Sequence, residues 1–151
     1  MAVCFSLVTQ INAPIDRVFD ACLDVDVHTA SMTASRERAV GGVTSGRLSL
    51  GDTVTWRARH FGIWWTMTSR ITEFDRPSRF VDEQVHGPFA WYRHEHRFAT
   101  SDDGTVLQDG VSFQAPAGIL GRIVEQFVLR RYLARLIGER NDHLGRLAGG
   151  G

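Results

Sequence analysis

Residues 91–113 read Trp91-Tyr92-Arg93-His94-Glu95-His96-Arg97-Phe98-Ala99-Thr100, then Ser101-Asp102-Asp103-Gly104, then Thr105-Val106-Leu107-Gln108-Asp109-Gly110-Val111-Ser112-Phe113. Strict alternation predicts a strand over 89–100 and another over 105–113, joined by an Asp-Gly turn. Tyr92, His94, His96 and Phe98 share one face of the first strand. Leu107, Asp109, Val111 and Phe113 share the apolar face of the second. Two apolar faces that both carry ionisable groups must meet in one core. Asp109 is therefore expected inward, beside His94 and His96.

Working outward, the same period-2 pattern recurs upstream. Strands are expected over 3–11, 36–40, 47–50, 53–61, 64–74 and 80–86, with breaks at Gly62, Arg76-Pro77 and Gly87-Pro88. Asn12-Ala13-Pro14 ends the first strand and opens a short helix over 14–23, with a second through 27–32. After Ala115-Pro116-Ala117-Gly118, one helix is predicted over 119–147. Ile119, Ile123, Phe127, Leu133, Ile137 and Leu144 form its main stripe; Leu129, Tyr132 and Leu136 form a second beside it. The fold class is α+β. A curved antiparallel sheet of about seven strands wraps a long C-terminal helix, with one or two short helices after strand 1. One domain over 1–148 is expected, followed by a disordered glycine tail at 149–151. Such an architecture leaves a space between sheet and helix.

Composition narrows the function. The chain has 151 residues, 43% hydrophobic and 23% charged, which fits one self-sufficient globular domain. Seventeen basic residues balance seventeen acidic ones, so there is no broad footprint for nucleic acid, and none is expected as a partner. Every basic residue is Arg. Without Lys there is no Schiff-base chemistry and no phosphate-loop lysine. Cys4 and Cys22 do not form a CxxC pair and read as small buried hydrophobes. No apolar run is long enough to span a membrane, and no leader pattern is visible, so a cytoplasmic location is expected.

Several stretches together resemble the START-like or SRPBCC superfamily, also called the helix-grip or polyketide cyclase/dehydrase-like fold. They are Ile11-Asn12-Ala13-Pro14-Ile15-Asp16-Arg17-Val18-Phe19, Ile71-Thr72-Glu73-Phe74-Asp75-Arg76-Pro77, Gly87-Pro88-Phe89, Trp91 through Phe98, and Gly104-Thr105-Val106-Leu107-Gln108-Asp109. The combination of Gly-Pro-Phe with His-x-His-x-Phe looks like a bacterial subgroup of stand-alone members. The resemblance implies the fold over nearly the whole chain. The superfamily includes lipid and hormone binders, aromatic cyclases, dehydratases and ring-hydroxylating oxygenase subunits, so the fold by itself does not choose among activities.

Alternation nominates the site. His60, Asp82, Gln84, His94, His96 and Asp109 are expected as a polar cluster on the cavity wall. Three readings stay open for it: a self-satisfied network that fixes strand register, a polar end that orients a ligand, and acid/base catalysis by a His94–Asp109 or His96–Asp109 pair. His-x-His plus Asp also has the composition of a metal site. Mutual His–Asp hydrogen bonding explains the same residues more simply, so neither metal nor cofactor is expected. Trp56, Trp65, Met67, Phe113 and Phe127 are expected to line an apolar body. Arg130 falls in the main helix stripe; it either snorkels to the groove mouth, pairs with an inward carboxylate, or binds an acidic ligand. Trp64 and Trp91 alternate outward, on strands taken as neighbours, and offer a patch for a partner subunit, a homodimer included.

The function expected is binding of a small hydrophobic or aromatic molecule between sheet and helix. The alternatives are a cofactor-free polyketide cyclase or dehydratase using a His–Asp pair, and a protein-interaction module.

Overall fold

The computed structural model describes residues 2–115 and 128–149. Seven strands form one antiparallel sheet: β1 (Val3–Ile11), β2 (Arg38–Gly42), β3 (Thr53–His60), β4 (Ile63–Asp75), β5 (Arg79–His86), β6 (Trp91–Ser101) and β7 (Gly104–Gln114). Their order across the sheet is β1-β7-β6-β5-β4-β3-β2. From β2 to β7 the chain is thus a meander of neighbouring strands, and β1 returns to close on β7. Two short helices, α1 (Ile15–Leu23) and α2 (Val25–Ser31), follow β1, and α3 (Arg130–Gly149) follows β7. This is the α+β helix-grip architecture, with the sheet curved around the C-terminal helix.

Local chemistry explains the elements. Asp24 caps α2, its Oδ1 accepting from the backbone N–H of Asp26 and Val27. In β1 alternation holds, with Val3 and Ile11 buried and Phe5 and Leu7 packed against the core. The Asp-Gly turn joins β6 to β7, and Gly104 has φ +135; a Cβ there would clash with the Ile11 carbonyl oxygen. At β4, register slips between Ile71 and Glu73, so Thr72 is an extra residue. Ile71 faces inward opposite Asp82, and beyond the slip Phe74 faces inward opposite Phe80.

Two buried clusters form the core. Phe19 of α1 sits in the first, edge-on to Phe74, Phe80 and Phe98 at ring separations of 5.1–5.6 Å. The second gathers Val3, Val111, Phe113 and Ile137, which joins α3 to β1 and β7.

Several sequence expectations need correction. Residues 47–50 are not a strand. Arg47 makes a lone bridge with Asp24, and the N–H of Val25 and of Leu48 are satisfied by Gly46 and Leu23, so the segment braces the α1–α2 junction. The strand expected at 36–40 lies at Arg38–Gly42. Cys4 is exposed, because alternation gives Val3 and Phe5 the inward positions. Trp64 and Trp91 are not on neighbouring strands: β5 separates β4 from β6, and the Trp91 indole donates to Gln114 at 3.0 Å. The helix expected from residue 119 is observed from Arg130; 119–127 lie outside the described residues, as do 150–151 of the expected tail.

Candidate functional site

Between the concave face and α3 lies a cavity of about 420 Å³, within the range that holds a small organic ligand. Its walls come from every layer. Strand β3 gives Val54, Trp56, Ala58 and His60; β4 gives Trp65, Met67, Ser69 and Ile71. Helix α3 contributes Leu133, Leu136 and Ile137, with Leu129 just before it. The second apolar stripe of α3 thus faces the cavity, while Ile137 is shared with the core behind it.

The inner end is polar and built around Asp109. This carboxylate is fully buried and opposes His96 across β6–β7. It accepts from His94 Nε2, Arg140 Nη2 and Asn141 Nδ2, each at 2.7 Å. Arg140 also donates to Asn141 Oδ1 at 3.0 Å, so the helix pair and the strand pair lock one another. His96 Nε2 donates to Asp82 Oδ2 at 2.7 Å. The His94 and His96 rings stack at 3.7 Å, and His96 stacks on Phe80 at 4.0 Å.

The electrostatics follow from this geometry. Burial pushes the Asp109 carboxyl up, but the Arg140 guanidinium and the His94 hydrogen bond outweigh it and hold the group ionised, well below the usual carboxylate range. Burial likewise opposes ionisation of Asp82, and the His96 hydrogen bond overcomes it. Burial and the neighbouring His94 lower His96 to about 4, against the pull of Asp82. His96 is therefore a neutral imidazole protonated at Nε2. Its Nδ1 is a buried lone pair with no hydrogen-bond partner among the described residues, 3.5 Å from Asp109 Oδ1. Arg140 keeps its proton, because Asp109 offsets the burial that would strip it. Burial keeps Tyr92 a neutral phenol.

Asp82, His94 and His96 each bring a ligand atom within 4.8 Å of the others. They do not fit a metal as they stand. The rings are inclined by only 19°, so their lone pairs do not converge, and an ion would have to break the His96–Asp82 bond.

Among the expected site residues, Trp56, His60, Trp65, Met67, Asp82, His94 and His96 line the cavity. Asp109 stands behind them and reaches the cavity through His94 and Arg140. Gln84 does not line it. Its side chain clamps Phe89, donating to the carbonyl at 2.8 Å and accepting from the N–H at 3.2 Å. Gly87 allows this, since a Cβ there would clash with Gln84 Oε1. Phe113 belongs to the second core cluster. Arg130 is exposed at the first residue of α3, and Leu129 and Leu133 take the cavity positions beside it. Phe127 lies outside the described residues.

Sequence reasoning missed Arg140 and Asn141, and gave Tyr132 only as a member of the second helix stripe. The signal for the first two was present: they sit three and four residues after Ile137 and just before Leu144, in the apolar stripe. Tyr132 packs on Phe61 and hydrogen-bonds His60, whose basicity burial reduces.

A fold of this kind with a cavity of this shape defines the class: a helix-grip, SRPBCC-type protein. The chain belongs to the family described as "polyketide cyclase / dehydrase and lipid transport", whose model matches residues 2–149. Solved structures share the fold. The di-domain ARO/CYC StfQ from the steffimycin biosynthetic pathway superposes at a TM-score of 0.78 with 14% identity, over 97% of this chain and 50% of that one. The Zhui aromatase/cyclase from Streptomyces sp. R1128 does so at 0.71 with 18% identity, over 100% and 99%. TTHA0849 from Thermus thermophilus does so at 0.72 with 16% identity, over 95% and 97%. At these identities the likeness shows the fold alone. No curated protein matches the chain at the level of sequence.

Proposed function

We propose that the protein binds a small hydrophobic or aromatic molecule between sheet and α3. The observation that carries this reading is the cavity of about 420 Å³, apolar along its length and closed by a fixed polar end of Asp82, His94, His96 and Arg140. The apolar walls supply affinity by burial, and the polar end supplies orientation. The family description and the named aromatase/cyclase neighbours agree with an aromatic ligand. Thermal-shift titration with N-phenyl-1-naphthylamine and 2-naphthol tests it. Both are expected to raise Tm, and Met67→Trp, which fills the cavity, is expected to remove the effect. No shift with either probe overturns the reading.

A second reading rests on the His94–Asp109 contact of 2.7 Å in the cavity wall. An ionised carboxylate fixes the His94 tautomer with the proton on Nε2, leaving Nδ1 to take a proton from a bound substrate and return it. A cofactor-free cyclase or dehydratase needs that step. His96 is 2% exposed, and burial makes it weakly basic. Turnover of a poly-β-ketone thioester that is lost in His94→Gln, with probe binding retained, is the outcome this reading requires.

A further inference from the structure

The β3–β4 hairpin tip stands out from the rest of the surface. Phe61 is 59% exposed, Ile63 55%, and Trp64 and Trp65 39% each. Four large exposed apolar side chains fall within five residues at this tip, Trp64 on the outer face of β4 and Trp65 on the cavity face, and exposure of this kind marks an interaction site. Phe61 has a left-handed φ of 55 beside Gly62, which folds the turn tightly at the hairpin end.

The charge around this tip is equally uneven. Between Arg38 and Thr72 the sequence holds five arginines and a single acid, Asp52, in a chain whose total charge is zero. On β5 and β6 the arginines of the outer face are paired: Arg79 meets Glu73 and Glu95, Arg93 meets Glu73, and Arg97 meets Glu95. At the tip end the pattern stops. Arg36, Arg38, Arg57 and Arg59 are exposed and, among the described residues, no carboxylate pairs with them. Arg38 lies directly opposite Arg57 across β2–β3, and the Arg59 N–H bonds to the carbonyl of Ser35, next to Arg36. Four like charges are thus gathered beside the apolar tip. The Arg57 guanidinium lies 4.9 Å over the Trp64 ring.

We propose that this hairpin docks the protein on an anionic lipid bilayer. An apolar point ringed by guanidinium groups complements a surface whose phosphates overlie hydrocarbon. Indole and arginine are also the side chains that settle at that boundary. The docked tip opens onto the cavity: His60, Phe61 and Trp65 line it, and Tyr132 joins the tip to α3 through His60 and Phe61. Exposed Arg130 and Arg131, at the start of α3, add to the positive surface beside Tyr132. A hydrophobic ligand then passes between bilayer and cavity without crossing open water.

The experiment is co-sedimentation of the full chain with phosphatidylcholine vesicles, with and without roughly 30 mol% phosphatidylglycerol, a proportion that sets the surface potential. Binding is expected to the anionic vesicles alone, to weaken with salt, and to bring a blue shift of Trp emission. Ile63→Asp and Phe61→Asn, the latter tolerant of the left-handed backbone, are each expected to lower partitioning by about tenfold with Tm unchanged. Arg57→Glu combined with Arg59→Glu is expected to erase the preference for anionic lipid. The proposal is overturned if the anionic vesicles fail to pellet the protein, or if both tip variants bind as the parent does. It is overturned equally by vesicle-free dimerisation that Ile63→Asp abolishes, since the patch then belongs to a second copy. Binding to a DNA oligonucleotide that needs the arginines but not Ile63 overturns it too. The assay adds no cavity ligand, so its result is independent of whether the cavity takes one.

Discussion

At one end of the concave face, α1 drives Phe19 into Phe74, Phe80 and Phe98, and the space is filled. At the other, β3, β4 and α3 hold large side chains apart and leave about 420 Å³. The same sheet supports both, so the difference is not one of backbone architecture. It comes from what is inserted: on one side α1 buries a whole ring, and on the other α2 sends in Val25 and His28, which line the space without filling it. The boundary is the Asp109 cluster, where a filled core would otherwise continue. Closed packing holds the fold, and the open end is free to hold something else.

The largest test of that contrast is Phe19→Ala. Removing a buried ring from the closed end is expected to cost about 4 kcal/mol by urea denaturation. Next is the boundary. Asp109→Asn leaves Arg140 buried without its counter-charge, and a loss of about 3 kcal/mol is expected, with the His94 ring released from its partner. A much smaller value would mean that water or rearrangement already screens Arg140.

Acid probes the same boundary. His96 has a folded-state pKa of about 4, below its ordinary 6.5, so the unfolded chain takes up the proton first. Its contribution is complete above pH 6.5 and is lost as pH falls toward about 4. Asp82 and Asp109, depressed by their partners, add a further loss only below the ordinary carboxylate value of 3.8. Denaturation midpoints should therefore decline through that first window, and His96→Gln should flatten the decline. An unchanged slope in the variant would assign the effect elsewhere. The smallest effect belongs to the open end. Met67→Ala enlarges a space that already exists, so it is expected to cost about 1 kcal/mol, well under the buried-core value. If it matches Phe19→Ala, the cavity is collapsed in solution.

How much of this was legible in the sequence depended on the range of the interaction. Alternation in 91–113 placed His94, His96 and Asp109 on one wall, because strand periodicity is local. It also puts Trp56, His60 and Met67 on inward positions, and the three line the cavity. Pairing with an inward carboxylate is one of three options that the helix stripe leaves to Arg130, yet the residue that reaches Asp109 is Arg140, ten positions on. A helical stripe names a face but not where along that face the sheet lies. Gln84 shared parity with Asp82 and was expected beside it. The register slip between Thr68 and Ser69 and the tight Gly87 turn give its amide to Phe89 instead. Bulges and turns of this kind leave little trace in a hydropathy pattern.

The extra residue in β4 has a wider consequence. Upstream of Thr72, the odd-numbered Trp65, Met67, Ser69 and Ile71 face the cavity. Downstream, the even-numbered Phe74 faces the aromatic cluster. The strand changes phase at one point, so its two halves are decoupled as hereditary units. Gaining or losing one residue upstream would turn the cavity wall inside out and leave the Phe19 cluster in register. Losing Thr72 itself would leave Ile71 opposite Asp82, Glu73 opposite Val81 and Phe74 opposite Phe80, so the ladder would run on without a slip and Phe74 would stay inward. Change in length upstream of this threonine thus acts on the cavity wall alone, which lets a lineage rewrite what the pocket accepts while inheriting the closed end unchanged.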